Sequence, residues 1–366
     1  MSTKVLITAL ALSIITSALA PAQEYDKDTK LNLQPDHATV KKLFVDQATM
    51  ESVYHEVKTP FKYGVVLKGA NGTKVDCPTV FHHKNRWYMT YIVFDGTGYE
   101  TYLAQSTDLL DWSPRGKILG RRQGNWDSSQ TGGYATLQDP KWGGSYQLLR
   151  HDDKYWLSYI GGLEQGYEKG KLGIGMAWTK SPDGIKEWTR LEEPVMMPDD
   201  DDARWWEKSK LFKSTVVFEE QKSLGHPYIM FYNAKDIFGK ERIGMAVSDD
   251  MAHWKRYLTD PVLSHVNDGW KITGDVTIQK MGNLWVAFYF GYLGGGGSAF
   301  DNFACSYDLV HWTPWYGPRL VEPSEPYDSK YAHKPYMIKH NGIVYHFYCA
   351  VGDQGRVIAL ATSRDL

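Results

Sequence analysis

The sequence predicts an all-β chain folded as a five-bladed β-propeller with four antiparallel strands per blade, and three observations carry that prediction. Aromatic residues are abundant, with 14 Trp, 24 Tyr and 13 Phe, and 34 Gly and 16 Pro supply frequent turns; this composition favours strands over helices. A short β-rich aromatic run recurs five times, at 87–91, 155–159, 228–232, 284–288 and 344–348. A second pattern follows each run, starting at Ala104, Ala177, Ala246, Ala304 and Ala361. Two patterns recurring in one order mark a repeat architecture, and a β-sandwich would give no reason for them.

Each blade element follows from these patterns. Polar turns such as His83-Lys84-Asn85, Asp152-Asp153-Lys154 and His340-Asn341-Gly342 precede the aromatic runs, so each run is the second strand of a hairpin. The second pattern supplies a third strand, then a turn led by Ser and Asp, as in Ser106-Thr107-Asp108-Leu109. Trp112, Trp188, Trp254 and Trp312 then open the outer strands of the first four blades. The fifth copy reaches Leu366 before any outer strand, and residues 54–67 resemble 312–321. Residues 54–67 are therefore expected to supply the missing strand and cover an otherwise exposed edge.

Ahead of the repeats, residues 1–22 read as a secretory signal peptide. Lys4 precedes an apolar run that ends in small residues, and the cut is expected near Ala22. The product would be secreted or periplasmic. Residues 23–50 read as a polar leader and 51–366 as the propeller domain. Lys and Arg number 41 against 43 Asp and Glu, a net charge of −2. That balance excludes broad attraction to nucleic acid or to an anionic membrane. Cys77, Cys305 and Cys349 allow one disulfide at most.

In a propeller the starts of the inner strands crowd one mouth, where a few side chains converge on a small ligand. Asp76 and His333 hold the same repeat position in blades one and five. Blade two carries Asp139, blade three Glu207 and then Lys213, and blade four Asp275, while Lys334 follows His333. Acids at several ring positions are costly to bury unless paired or solvated, which points to a shared polar site. The acidic run 199–202 reads as a solvated linker, since it lacks the spaced ligands of a calcium loop.

The Asp-Cys-Pro at 76–78 and the Ser-x-Asp-Leu-x-x-Trp turns resemble the five-bladed glycoside hydrolases. That group includes glycoside hydrolase family 43 and its arabinanase, levansucrase and invertase-like relatives. The resemblance spans roughly 54–366. It implies hydrolysis of a terminal sugar by paired carboxylates in the funnel, one protonated and one ionised. Asp76 would be the base or nucleophile and Asp139 the orienting carboxylate. Glu207 or Asp275 would be the acid, with Glu164 a further rival. His333 resembles the axial histidine that helps hold a central ion in some relatives. No cofactor is required for the chemistry, and an axial calcium or other ion would be structural. Inversion is the expected stereochemistry. Trp142 and Trp206 are candidate stacking surfaces for sugar, and Lys213, His333 and Lys334 candidate substrate contacts. A non-catalytic carbohydrate-binding propeller and a glycoside phosphorylase are the alternatives. Seryl or cysteinyl catalysis has no motif in its support.

Overall fold

The computed structural model describes residues 43–366. The signal peptide and most of the leader lie outside the described residues. The described part is nearly all β, with one α-helix, α1 (Gln47–Val57). Asp46 caps α1, its Oδ1 accepting the Thr49 N–H at 2.8 Å. Met50, Val53 and Val57 form its buried stripe and pack on Leu284, Val286 and Trp315. The helix straddles the expected boundary at residue 51 and takes up residues 54–57, which the sequence pattern assigned to a strand.

After α1, strand β1 (Phe61–Leu67) pairs antiparallel with β20 (Gly355–Thr362), Val65 opposite Ala359. The strand expected within 54–67 thus joins the C-terminal edge, over 61–67. Between them run four further antiparallel units. The first is β2 (Lys74–His83), β3 (Arg86–Phe94), β4 (Tyr99–Ser106) and β5 (Ser113–Leu119). The second is β6 (Gln130–Thr136), β7 (Tyr155–Gly162), β8 (Gly173–Thr179) and β9 (Thr189–Arg190). The third is β10 (Lys210–Phe218), β11 (Tyr228–Lys235), β12 (Glu241–Ser248) and β13 (Lys255–Arg256). The fourth is β14 (Ile272–Met281), β15 (Leu284–Tyr292), β16 (Ala299–Ser306) and β17 (Thr313–Pro314). Strands β18 (Tyr331–His340) and β19 (Ile343–Gly352) complete the last unit with β20 and β1. The arrangement is propeller-like.

The recurrent Ser-x-Asp-Leu motif is a turn with a physical cause. Ser106 Oγ accepts the Leu109 N–H at 2.9 Å, and Asp108 Oδ1 accepts the N–H groups of Leu110 and Asp111. Trp112 Nε1 then donates to the Leu109 carbonyl at 3.1 Å. The same bonds recur around Ser248 and Ser306. The turn aims each tryptophan into a neighbouring unit: Trp112 meets Phe347 and Trp312 meets Phe231, both edge to face. Such seams carry the core, because each sheet must bury both faces.

The acidic run 199–202 is more than a solvated linker. Asp200 and Asp202 pair with Arg256, and Asp199 with Lys171. The three cysteines are free and buried.

Candidate active site

The inner strands β2, β10, β14 and β18 each carry an irregularity near their starts, between Asp76 and Thr79, Leu211 and Ser214, Gly274 and Thr277, and His333 and Tyr336. At three of these, non-glycine residues take positive φ: Cys77 at 52°, Asp275 at 51° and Lys334 at 67°. Left-handed backbone at such residues costs energy and clusters at functional sites. Here it brings three side chains together. Cys77 Sγ lies 3.5 Å from both Asp275 Oδ2 and Lys334 Nζ, and Lys334 Nζ lies 3.6 Å from Asp275 Oδ2.

These residues floor a cavity of about 220 Å³. Its walls are aromatic, with Tyr99, Tyr134, Tyr167, Phe290, Tyr292 and Tyr331 among them. One flank comes from the β11–β12 hairpin. Lys235 and Glu241 face each other across the two strands, and Lys235 Nζ lies 2.8 Å from Glu241 Oε1. Asn233 Nδ2 donates to Glu241 Oε2 at 3.0 Å, while its buried Oδ1 has no hydrogen-bond partner. Glu168, in the β7–β8 connection and itself at φ 50°, also lines the cavity, close enough for its charge to act on Glu241 and Lys235. Tyr99 OH donates to Glu168 Oε1 at 3.4 Å, and Lys210 Nζ pins the loop through the Gly170 carbonyl at 2.8 Å.

The acids differ in how freely they titrate. Burial lifts the Glu241 carboxyl above its ordinary range; Lys235 opposes that lift and the nearby charge of Glu168 adds to it. Burial would also lift Asp76, but Arg356 and then Lys334 override it and hold Asp76 far below the carboxylate range. Asp76 Oδ2 accepts Arg356 Nη1 at 2.7 Å and Lys334 Nζ at 3.0 Å, and Oδ1 accepts the Cys77 N–H at 2.9 Å. Lys334 in turn is raised well above its usual value: burial opposes this, but Asp76, Cys77 and Asp275 together outweigh it.

No family model matches the chain, and no curated protein matches it. Solved structures do. A BT0996 RGII complex is 46% identical, covers 88% of this chain and 96% of its own, and superposes with a TM-score of 0.84. A second solved structure, a glycoside hydrolase, is 47% identical over 88% of this chain and 96% of its own, also at 0.84. The protein belongs to the glycoside hydrolases. A thermostable family-43 glycoside hydrolase at 16% identity, covering 82% of this chain and 91% of its own with a TM-score of 0.59, shares the fold.

Within this glycoside hydrolase the residues singled out from sequence are dispersed. Asp275 and Lys334 floor the cavity and His333 lines it. Asp76 is adjacent but sealed at 1% exposure behind its two cations. Asp139 is not at an inner-strand start. The inner strand of its unit is β6, ahead of it, where a Cβ added at Gly132 would press on Ile160 and one at Gly133 would crowd Leu157 and Thr101. Asp139 follows that strand and caps a turn, accepting Ser145 Oγ at 2.6 Å and the Lys141 N–H at 3.1 Å. Glu207 is fully buried, paired with Arg256 and accepting Tyr232 OH at 2.7 Å. Trp206 is buried too, stacked on Tyr232 and donating to the Thr259 carbonyl. Trp142 packs beside α1, with Nε1 on Glu56 Oε1 at 2.7 Å. None of these four lines the cavity. Lys213 is sealed at 1% exposure beside Tyr134, and burial depresses its pKa, with Asp275 opposing.

The residues around His333 do not suit a cation. His333 Nδ1 lies 3.0 Å from the Cys349 carbonyl, so it carries the proton. Burial, then Arg356 and Lys334, push the imidazole down to about 3. Its charged neighbours are these two cations, with Asp76 opposing them, and no group of three His, Cys, Asp or Glu poised for a metal occurs among the described residues. Glu168, Glu241, Lys235, Asn233 and Arg356 are the site residues that the inner strands do not reveal. The signal was topological: antiparallel pairing returns the β7–β8 and β11–β12 turns to the same mouth as the inner-strand starts.

Proposed function

We propose that this glycoside hydrolase removes one terminal sugar from a carbohydrate of the RGII kind, with Glu241 and Glu168 as its working carboxylates. The observation that carries this is the pair itself. Two acids flank one cavity, and burial together with the charge of Glu168 raises Glu241. A carboxyl raised above its ordinary range beside a second acid suits the proton donor of such a pair. Glu241 donates a proton to the leaving oxygen, and Glu168 is the second carboxylate, activating water at the anomeric centre. The uncommitted Asn233 Oδ1 receives a sugar hydroxyl. The floor of Asp275, Lys334 and Cys77 binds the far side of the ring.

A cavity of about 220 Å³ lies below the ~300–1,000 Å³ typical of larger ligands, which favours a single sugar and hence exo action. Lys235 and Lys334 are engaged by acids, so the cavity lacks the free cations a phosphate would need, and hydrolysis is favoured over phosphorolysis. Around this site the five antiparallel units are read as blades of one propeller. Support comes from apolar clusters spanning each junction, including Val75 and Met89 of the first unit with Phe347 and Ile358 of the last. Export by residues 1–22 completes the reading. The test is incubation with purified RGII oligosaccharide, with and without phosphate. One free sugar released without phosphate is expected, with inversion read by NMR of the first anomer. Internal fragments, or release only with phosphate, would refute the exo-hydrolase.

A further inference from the structure

The β11–β12 hairpin carries more than Lys235 and Glu241. Its tip is a built turn: Asp236 Oδ1 accepts the N–H groups of Phe238 and Lys240, both at 2.9 Å. Arg242, next after Glu241, donates to Asp236 Oδ2 at 2.7 Å. The same guanidinium lies 5.0 Å from the ring centroid of Trp205. One ion pair thus fixes the tip and seats the tryptophan. What this frame holds out is apolar: Phe238 is 81% exposed, Ile237 71% and Trp205 62%. The equivalent turns in the first and last units carry Asp95-Gly96-Thr97-Gly98 and Asp353-Gln354. Those are the polar residues a solvated turn prefers. Singly exposed apolar residues are ordinary, but a fixed cluster beside a binding pocket marks an interaction surface. Phe238 lies three residues from both Lys235 and Glu241, roughly 10 Å along a strand. That is the reach of a neighbouring sugar in a glycan whose end sits in the cavity.

We propose that Trp205, Ile237 and Phe238 form a rim subsite that binds the sugars on the leaving-group side of the substrate. The inference rests on the reading of the cavity as the seat of a terminal sugar. Sugar rings present apolar C–H faces that stack on exposed aromatic rings, and a ring backed by Arg242 is held ready for such contact. The surface would favour sugars bearing methyl or acetyl groups, which add apolar area against Ile237 and Phe238.

The test uses Glu241→Gln protein, to stop turnover, and purified RGII oligosaccharide in a calorimetric titration. Adding Phe238→Ala or Trp205→Ala should weaken binding about tenfold, the effect of losing one well-packed aromatic contact. Phe238→Tyr and Trp205→Phe should keep most of it. With Glu241 intact, the released free sugar should inhibit the alanine variants as it inhibits the parent. Equal oligosaccharide binding by parent and alanine variants overturns the rim subsite, whether or not the oligosaccharide is cleaved. Weaker binding of oligosaccharide and free sugar alike also overturns it, because the defect then lies in the cavity. Tight, rim-dependent binding without cleavage by the intact enzyme would sustain the rim and defeat the hydrolytic reading alone. No binding by the parent would defeat both.

Discussion

Asp76 lies sealed beside the cavity that Glu241 lines, and their surroundings give them opposite characters. Both are buried carboxyls, at 1% and 5% exposure. Asp76 faces two cations and a backbone N–H, and those contacts outweigh desolvation, so it stays ionised. Glu241 faces one cation, Lys235, with a second carboxylate, Glu168, nearby; desolvation prevails and its pKa rises. A carboxyl whose pKa is raised holds its proton longer, which suits general acid catalysis. A carboxylate locked between two cations suits the fixing of charge and shape. The lesson is that the number of partners, not the acid's place in the repeat, decides which acid works and which one holds the floor in place.

The contrast can be broken at several points. Glu168→Gln should lower kcat/KM by roughly 10²–10⁴-fold with little change in melting temperature, measured on the oligosaccharide and by calorimetry. Asp76→Asn acts on the sealed acid beside the cavity. It leaves Lys334 and Arg356 buried without their shared anion, and breaking such a buried pair costs about 3–5 kcal/mol. Denaturant unfolding should show that loss; a variant as stable as the parent would make Asp76 dispensable to the floor. Lys235→Met sharpens the comparison, because it removes the cation that lowers Glu241. The basic limb of the kcat/KM profile should then move to higher pH, since the acid keeps its proton longer. A limb that stays put or moves down would contradict the assignment. The last effect, seen only on the acid side, concerns His333, held neutral down to about 3 when folded against about 6.5 when unfolded. Its contribution to stability is full above the unfolded value and fades as pH falls toward the folded one, by about 1.4 kcal/mol per unit. His333→Asn should flatten the acid side of the stability curve between roughly pH 6 and 4.

Much of the strand architecture was legible because its signals are local. The aromatic runs became β3, β7, β11, β15 and β19, and the Ser-Asp-Leu turns formed through their own side chains. The equivalence of Asp76 and His333 also held, since both precede the same bulge. Helix α1 escaped notice because its buried stripe is only Met50, Val53 and Val57 in a polar surround. Asp139 misled because Asp-Pro looks like the Asp-Cys-Pro of the first unit, while the true inner strand, β6, hides in the glycine-rich run ahead of it. Trp205 and Trp206 are adjacent in a turn, where no alternation marks that Trp206 is buried and Trp205 exposed. Glu168 and Glu241 were invisible for a related reason. Their place at the mouth depends on the length of hairpins whose ends no motif marks.

The account rests most directly on Glu241, and kcat/KM of Glu241→Gln on RGII oligosaccharide, with its melting temperature, tests it. The expected result is a fall of roughly 10²–10⁴-fold at an unchanged melting temperature. Activity close to the parent's in a folded variant would contradict it and return the proton donor to another acid of the cavity.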